Sequence, residues 1–264
     1  MHIFQRHNVT ITGNVMADKT LVFAHGFGTD QSAWRFIIDG FADQYKIILY
    51  NNAGAGSLDP KDFDPAKYNS LHSYANDLLA IVQELRFSNN ILIAHSVSSM
   101  IGLLAAIKVP EAFSKMVFIG ASPRYLNDAN YVGGFEQSDL DALYEQMTQN
   151  YHAWVNGFAT AAMRNADNPS LAAEFSRTLN MLRPDIAVAV AKTIFQSDHR
   201  KELALFSREA LIIQATNDIA VPMEVGEYLH KHIAHRQLVN IEAEGHFPHI
   251  SAPQEVINCI QHFL

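Results

Sequence analysis

The sequence contains 264 residues and is 48% hydrophobic, which is enough apolar material for one large domain with a buried core. Its net charge of -8 excludes a broad basic surface, and we therefore expect no nucleic acid as a partner. Its one cysteine, Cys259, excludes an internal disulfide and lies among apolar residues at helical spacing, so we interpret it as a core residue.

The N-terminal segment and the most apolar segment together predict a cytoplasmic protein. Residues 1–14 mix polar and apolar side chains and contain no continuous apolar stretch typical of a secretory signal. Residues 90–109 approach the length of a membrane span, but His95, Ser96, Ser98 and Ser99 lie at their centre. A buried strand, a turn and a buried helix explain this segment better, so we expect no membrane association.

The chain alternates strand-like and helix-like segments. Short apolar runs typical of strands buried on both faces lie at 21–24, 47–50, 91–94 and 116–119. Helical patterns lie between them at 31–41, 71–85 and 97–107, and two further strands at 210–215 and 237–241 flank a helix at 223–232. This order predicts an α/β fold with a mainly parallel sheet of seven or eight strands flanked by helices.

Residues 124–196 interrupt the alternation. They show no buried strand, but apolar residues recur at helical spacing, for example at Leu140, Leu143, Tyr144 and Met147. We interpret this segment as a helical lid inserted into a single domain that spans residues 1–264.

Ser96 lies at the junction between a predicted buried strand and an apolar helix, which is where an α/β-hydrolase places its nucleophile. The sharp turn at this position requires small residues two positions away on either side. Ala94 and Ser98 are small, but they replace the glycines of the usual G-x-S-x-G pattern. For this segment alone, an ordinary turn with an incidental serine is an equal alternative. We interpret the neighbouring His95 as structural.

A serine nucleophile needs a base and an acid that orients the base, and both follow at the ends of later strands. Asp218 follows the strand at 210–215, and His246 follows the strand at 237–241 after Gly245, which permits a tight turn. The order serine, acid, histidine is the one expected for this fold. We therefore predict that Ser96, Asp218 and His246 form a catalytic triad.

Three other residues are weaker candidates for these roles. His249 is the rival base, but it lies beyond Pro248 at the start of the final helix. Asp185 and Asp198 are the rival acids, but they lie in or beside the lid, where a solvated surface carboxylate is the simpler interpretation.

The segment from His25 to Gly28 predicts an oxyanion hole, because its glycines let the backbone approach a substrate closely. We expect the Phe27 N–H to be one donor and the Val97 N–H, directly after the nucleophile, to be the other. We also predict an apolar pocket above the serine; each lid residue in it could instead pack within the lid. The predicted pocket residues are His25, Tyr125, Phe135, Leu143, Trp154, Phe158 and Phe195.

No cofactor and no metal ion are expected. The glycine-containing segment 51–57 lacks the full spacing of either nucleotide-binding fingerprint and has no following lysine, so we interpret it as a structural loop. The 13 histidines include no pair that, with nearby carboxylates, has convincing metal-ligand spacing on a helix.

With these motifs in place, the chain resembles the RsbQ-like α/β-hydrolases, which include a bacterial stress-response regulator and the plant strigolactone and karrikin receptors. The likeness runs nearly end to end, and several of its motifs lie in the lid. Its most specific motifs are His25-Gly-Phe-Gly28, Ala94-His-Ser-Val-Ser98, Ser122-Pro-Arg-Tyr-Leu-Asn-Asp128, Ala153-Trp-Val-Asn-Gly-Phe158, Phe175-Ser-Arg-Thr-Leu179 and Gly245-His-Phe-Pro-His249. Departures from the family pattern are Ala94, where glycine is usual, and Asn51, where aspartate is common.

The resemblance implies a four-helix lid over an apolar cavity and slow hydrolysis of a small ester or butenolide-like lactone through an acyl-enzyme. It also implies that ligand binding is coupled to a signalling protein, for example a PAS-domain phosphatase or another regulator. The alternative function is a ligand receptor in which hydrolysis is incidental. A cofactor-free oxidase or lyase on the same scaffold also stays open.

Overall fold

The computed structural model describes residues 2–264 and contains a seven-stranded sheet in the order β1-β3-β2-β4-β5-β6-β7. Strand β1 is antiparallel to β3, and every other neighbouring pair is parallel. The predicted α/β fold is confirmed, with seven strands. The strands are β1 (Thr10–Gly13), β2 (Thr20–Ala24), β3 (Lys46–Tyr50), β4 (Asn90–His95), β5 (Lys115–Ile119), β6 (Glu209–Asn217) and β7 (Arg236–Glu244).

The helices surround this sheet and supply the lid. They are α1 (Ile3–Arg6), α2 (Leu71–Leu85), α3 (Val97–Lys108), α4 (Gln137–Gln149), α5 (Tyr151–Met163), α6 (Pro169–Asn180), α7 (Pro184–Phe195), α8 (Met223–His232), α9 (Pro248–Ser251) and α10 (Pro253–Phe263). Local chemistry sets the bounds of α2: the Ser70 hydroxyl accepts a hydrogen bond from the His72 N–H at its start, and Arg86 ends it with a φ of 53°.

Two parts of the predicted element order are corrected. The helix expected at 31–41 is a pair of 3-10 turns, Gln31–Phe36 and Ile38–Gly40, because adjacent β-branched residues and Gly40 disfavour a continuous α-helix there. The short edge strand β1 was not predicted, because its residues are half-exposed or exposed and give no apolar run.

Alternate residues of the buried strands contribute side chains to two hydrophobic cores on opposite faces of the sheet. Val22 and Ile48 contribute to the core that includes α2, α3, α8 and the lid. Leu21 and Ile47 contribute to the core that includes Trp34 and α10. Because the central strands are buried on both faces, their sequences read as continuous apolar runs rather than as alternating patterns.

Helices α4 to α7 lie between β5 and β6 in the chain and cover the carboxyl end of the sheet. They pack in two pairs, α4 with α7 and α5 with α6. Among residues 2–264, no helix combines the length and the apolar character that crossing a membrane requires.

Candidate active site

Ser96 lies in a strained turn between β4 and α3. Its backbone has φ 55° and ψ -127°, a region that L residues seldom occupy, and its N–H donates to the Ile119 carbonyl of β5 at 2.8 Å. The turn therefore continues the sheet hydrogen bonding by one residue before the chain reverses into α3. The result is a serine side chain held above the carboxyl edge of the sheet.

Ser98 occupies the position where a glycine is usual, and its hydroxyl has a structural use. It donates to the His25 carbonyl at 2.6 Å and accepts from the Asn52 side chain at 3.0 Å. The Asn52 side chain also donates to the His25 carbonyl, at 2.9 Å. These bonds connect the serine turn to the loops after β2 and β3. Sequence reasoning missed Asn52, although its place in the loop after a buried strand was a usable signal.

The same network corrects the prediction that His25 lines the substrate pocket. His25 Nε2 accepts a hydrogen bond from the Asn52 N–H at 2.9 Å, and the side chain is buried. Burial lowers the pKa of His25, which keeps this nitrogen unprotonated as an acceptor. The ring lines a separate, smaller cavity behind Phe27 and supports the loops instead of facing Ser96.

His246 is held by its own backbone as well as by its side chain. Its N–H donates to the Ala162 carbonyl at the end of α5, and its carbonyl accepts from His95 Nε2, at 2.8 and 2.7 Å. Gly245 precedes it with a φ of 83°, and a Cβ there would lie 2.2 Å from the Met163 carbonyl oxygen. Glycine is therefore required at this turn. The structural role predicted for His95 fits these contacts.

Asp218 lies just beyond the end of β6 with its carboxylate buried. Its Oδ1 accepts from the N–H groups of Ala220 and Val221, at 2.8 and 3.1 Å, and its Oδ2 lies 2.8 Å from His246 Nδ1. Gly120 makes this approach possible, because a Cβ at that position would lie within 3.4 Å of both side chains. Sequence reasoning missed Gly120, which directly follows a buried strand.

These side chains form one hydrogen-bonded chain. His246 Nε2 lies 2.8 Å from Ser96 Oγ. Since the Asp218 carboxylate can only accept, His246 Nδ1 carries the proton, and Nε2 is the acceptor for the serine hydroxyl. The arrangement can remove a proton from Ser96 and stabilise the imidazolium that results.

The rival residues lie elsewhere. His249 packs against Trp34 and His95, with ring centroids 4.5 Å apart in both cases. Burial, aided by the charge of His246, lowers the pKa of His249 to about 3. Asp185 forms an exposed ion pair with Arg183, and Asp198 pairs with two arginines beside the lid.

The amides of Phe27 and Val97 are free to receive a ligand atom. Within residues 2–264 neither N–H has a hydrogen-bond acceptor. The loop that carries Phe27 lies against the Ser96 turn, since a Cβ on Gly26 would come within 3.2 Å of Ser96 Cβ. Two unpaired donors beside the serine can stabilise an oxyanion.

A cavity opens above Ser96, between the sheet edge and the lid. Its volume is about 170 Å³. Of the predicted pocket residues, five line this cavity: Tyr125, Phe135, Leu143, Phe158 and Phe195. Ser96, His246 and the Phe27 side chain also line it, together with residues that sequence reasoning missed, among them Phe175, Ile219 and Phe247. These come from lid and loop positions that are adjacent only in the folded chain.

The structure places Trp154 outside this cavity, which corrects its prediction as a pocket residue. Trp154 lines a groove between α4 and α5 and stacks on Phe158 with ring centroids 4.9 Å apart. The two residues are four apart on α5, so they share a helix face, but only Phe158 reaches the cavity.

No group of three or more His, Cys, Asp or Glu side chains in residues 2–264 is arranged to hold a metal ion. Among the described residues, those that line the cavity include no lysine, arginine, aspartate or glutamate. Its polar groups are limited to those around Ser96.

Comparisons with known proteins agree with the fold and with the sequence motifs. A family model described as the alpha/beta hydrolase fold matches residues 19–253. A probable esterase of Oryza sativa subsp. japonica is 49% identical over 255 residues, covering 96% of this chain and 93% of that protein. A strigolactone esterase of Arabidopsis thaliana is 44% identical over 264 residues, covering 100% of this chain and 98% of that protein.

A solved structure of olei00960, a hydrolase from Oleispira antarctica, superposes with a TM-score of 0.95 at 36% identity, covering 99% of this chain and 95% of that one. The resemblance to the RsbQ-like hydrolases is thereby confirmed. The fold, the family match and the end-to-end likeness together lead to one conclusion: this chain belongs to the α/β-hydrolase family, in the group that includes these plant proteins.

Proposed function

We propose that this protein is a serine hydrolase that cleaves a small, uncharged ester or lactone through an acyl-enzyme on Ser96. One observation carries the proposal: the hydrogen-bonded chain from Asp218 through His246 ends at a serine hydroxyl that faces an apolar cavity. A buried, polar reaction centre within an apolar chamber suits a substrate whose only polar group is the one that reacts.

Acylation begins when His246 Nε2 takes the Ser96 proton as Oγ bonds to the substrate carbonyl carbon. The carbonyl oxygen becomes an oxyanion, to which the Phe27 and Val97 amides donate. Collapse breaks the bond to the leaving oxygen, which takes the proton from His246. Water then attacks the acyl group by the same path and releases the acid.

The lining predicts the substrate class. Because the cavity holds no charged side chain other than the reacting groups, a carboxylate or ammonium on the substrate would lose its hydration without gaining a partner. Small aliphatic esters and lactones such as butenolides fit these constraints.

A fluorophosphonate probe tests the nucleophile. We expect wild type to be labelled and Ser96→Ala not to be labelled. Hydrolysis of p-nitrophenyl butyrate and of a methyl butenolide by the same two proteins tests the substrate class. Equal labelling or equal hydrolysis by both proteins would refute the proposed nucleophile.

The comparisons favour a second function for the same site. A relative named "Karrikin insensitive 2 receptor CA" of Petunia hybrida is 46% identical over 254 residues. In this chain the His246 N–H donates to the Ala162 carbonyl at the end of α5, so a ligand that displaces His246 also changes a lid contact. We propose that an occupied cavity alters the lid and thereby the affinity for a signalling protein, with hydrolysis incidental.

Hydrogen exchange separates the two functions. If the protein acts as a receptor, a methyl butenolide should change the protection of residues 151–163 in Ser96→Ala, which binds but does not turn over. If protection changes only in wild type during turnover, or in neither protein, the receptor function is contradicted.

A further inference from the structure

One polar group in the cavity is not used by the triad or by the oxyanion amides. The Tyr125 hydroxyl lies 3.3 Å from Ser96 Oγ, and the tyrosine side chain is buried. Within the described chain, Ser96 Oγ is the hydroxyl's one hydrogen-bond partner. Ser96 Oγ therefore has two polar neighbours, the base His246 and the Tyr125 hydroxyl, and the role of the second has to be explained.

The direction of this hydrogen bond follows from the triad. The Ser96 hydroxyl has one proton, which it gives to His246 Nε2, since that nitrogen is unprotonated when Nδ1 donates to Asp218. The bond between Ser96 and Tyr125 must therefore run from the tyrosine to the serine. Burial, together with the negative charge of Asp218, raises the pKa of Tyr125, so the phenol keeps the proton that it donates.

The surroundings hold the Tyr125 side chain and main chain in place. Its ring packs edge-to-face on Phe195 with centroids 5.1 Å apart, and its carbonyl accepts from the Phe135 N–H at 3.1 Å. A Cβ on Gly133 would lie 2.5 Å from that carbonyl oxygen, so the loop that contains Gly133 lies directly against the Tyr125 main chain. The hydroxyl is thus positioned in advance, as an effective hydrogen-bond donor in catalysis must be.

The hydrogen bond from Tyr125 stabilises the transition states of acylation and of deacylation to different extents. Before acylation Ser96 Oγ is a hydroxyl oxygen, which already accepts the hydrogen bond, so the bond strengthens only moderately as the reaction proceeds. In the acyl-enzyme, Oγ is an ester oxygen and a poor acceptor. When the deacylation intermediate collapses, the bond between the acyl carbon and Oγ breaks and its electron pair stays on Oγ. The hydrogen bond then gains most strength in the transition state, which is where a catalytic interaction acts.

We infer that Tyr125 is a catalytic residue for deacylation, donating a hydrogen bond to Ser96 Oγ as that oxygen leaves the acyl group. His246 Nε2 returns the proton it took from water to Oγ, and Tyr125 keeps its own proton throughout. This inference rests on the proposed acyl-enzyme function.

Pre-steady-state hydrolysis of p-nitrophenyl butyrate tests it, with Tyr125→Phe compared with wild type. Tyr131→Phe is the matched control: it also removes the hydroxyl of a buried tyrosine from the segment after β5, but that hydroxyl donates to the Arg124 carbonyl. We expect Tyr125→Phe to lower the steady-state rate about tenfold and the burst rate less than about threefold. The butyryl adduct on Ser96 should then accumulate in intact-mass spectra, while Tyr131→Phe resembles wild type.

The outcomes separate the inference from the function on which it rests. If Ser96→Ala hydrolyses p-nitrophenyl butyrate as fast as wild type, the acyl-enzyme proposal fails. If wild type acylates but Tyr125→Phe matches it in both phases, or slows both phases equally, the role of Tyr125 in deacylation is refuted. The rate of fluorophosphonate labelling reports whether the Ser96–His246 pair is intact in Tyr125→Phe, so a folding defect is not mistaken for a catalytic effect.

Discussion

The loops at the sheet edge and the helical lid position their side chains by different means. In the loops, backbone geometry decides: Ser96 has a positive φ, and Gly245 permits a turn that no other residue would fit. In the lid, apolar packing decides: Phe158 and Phe195 reach the cavity as parts of aromatic clusters. Substitutions at these loop positions should therefore lower the rate of hydrolysis, whereas substitutions in the lid should mainly alter which ligand is preferred.

The two regions meet at several points, among them Phe247 against Phe175 and Phe27 against Phe195, and the most informative is the turn before His246. There the main chain of the catalytic loop contacts the end of α5 through the Ala162 and Met163 carbonyls. A change at this junction should affect both regions, and changes on either side should affect only one.

The largest effect should follow from Asp218→Asn. The asparagine oxygen can still accept from the Ala220 and Val221 amides, so the loop should keep its shape. His246 would lose the acceptor that fixes its tautomer, and kcat should fall by about 10⁴-fold with little change in thermal stability. Steady-state kinetics and a melting curve check this. A fall of less than about tenfold would show that another acid orients the histidine.

The next effect concerns pH. Burial, aided by the charge of His246, lowers the pKa of His249 to about 3 from the ordinary value of 6.5. Below pH 6.5 the unfolded chain therefore binds a proton that the folded chain does not bind, and stability is lost as the pH falls towards 3. One such group lowers the free energy of unfolding by about 1.4 kcal/mol for each pH unit below 6.

His249→Phe removes this group and keeps an aromatic ring against Trp34 and His95. Urea unfolding between pH 7 and pH 5 should therefore show a shallower loss of stability in His249→Phe than in wild type. If the free energy of unfolding falls with pH equally in the two proteins, His249 takes up its proton in the folded state at the same pH as in the unfolded chain.

An effect of similar size is expected from Gly245→Ala, at the junction of the two regions. The new Cβ would lie 2.2 Å from the Met163 carbonyl oxygen, and the alanine would have to adopt a φ of 83°. We expect the free energy of unfolding to drop by at least about 2 kcal/mol, with a fall in kcat because His246 shifts.

Gly157→Ala is the control for this substitution. Gly157 lies within α5, and an added Cβ would meet nothing within 4 Å. Because alanine favours the helix, this change should stabilise the protein by about 0.5–1 kcal/mol. Equal responses of the two glycines to chemical denaturation would show that the loop-to-lid junction carries no special constraint.

The smallest effect is expected within the lid. Leu143→Ala removes an apolar contact from the cavity, and the KM for p-nitrophenyl butyrate should rise by about fivefold with little change in kcat. Trp154→Phe, in the groove between α4 and α5 of the same lid, should leave KM unchanged because Trp154 does not line the cavity. The reverse order of effects would restore Trp154 as a pocket residue.

The sequence predicted most of the sheet because burial on both faces makes each central strand a continuous apolar run. The bounds of α2 and α8 were predicted to the residue, since caps and apolar periodicity are local signals. The edge strand β1 gave no such signal, and the segment at 31–41 was predicted as one helix although local backbone preferences divide it into two turns.

The sequence by itself determined which residues follow the strands, and therefore which residues could meet at the sheet edge: Ser96 and Asp218 each follow a buried apolar run, and His246 follows the half-exposed edge strand β7. Only the tertiary structure decided which neighbours these residues acquire. It turned His25 into a support for the loops, placed Trp154 outside the cavity and brought the Tyr125 hydroxyl to Ser96. The reason is physical: the position of a buried strand along the chain follows from a local apolar run, whereas the direction of a lid side chain depends on how helices distant in sequence pack together.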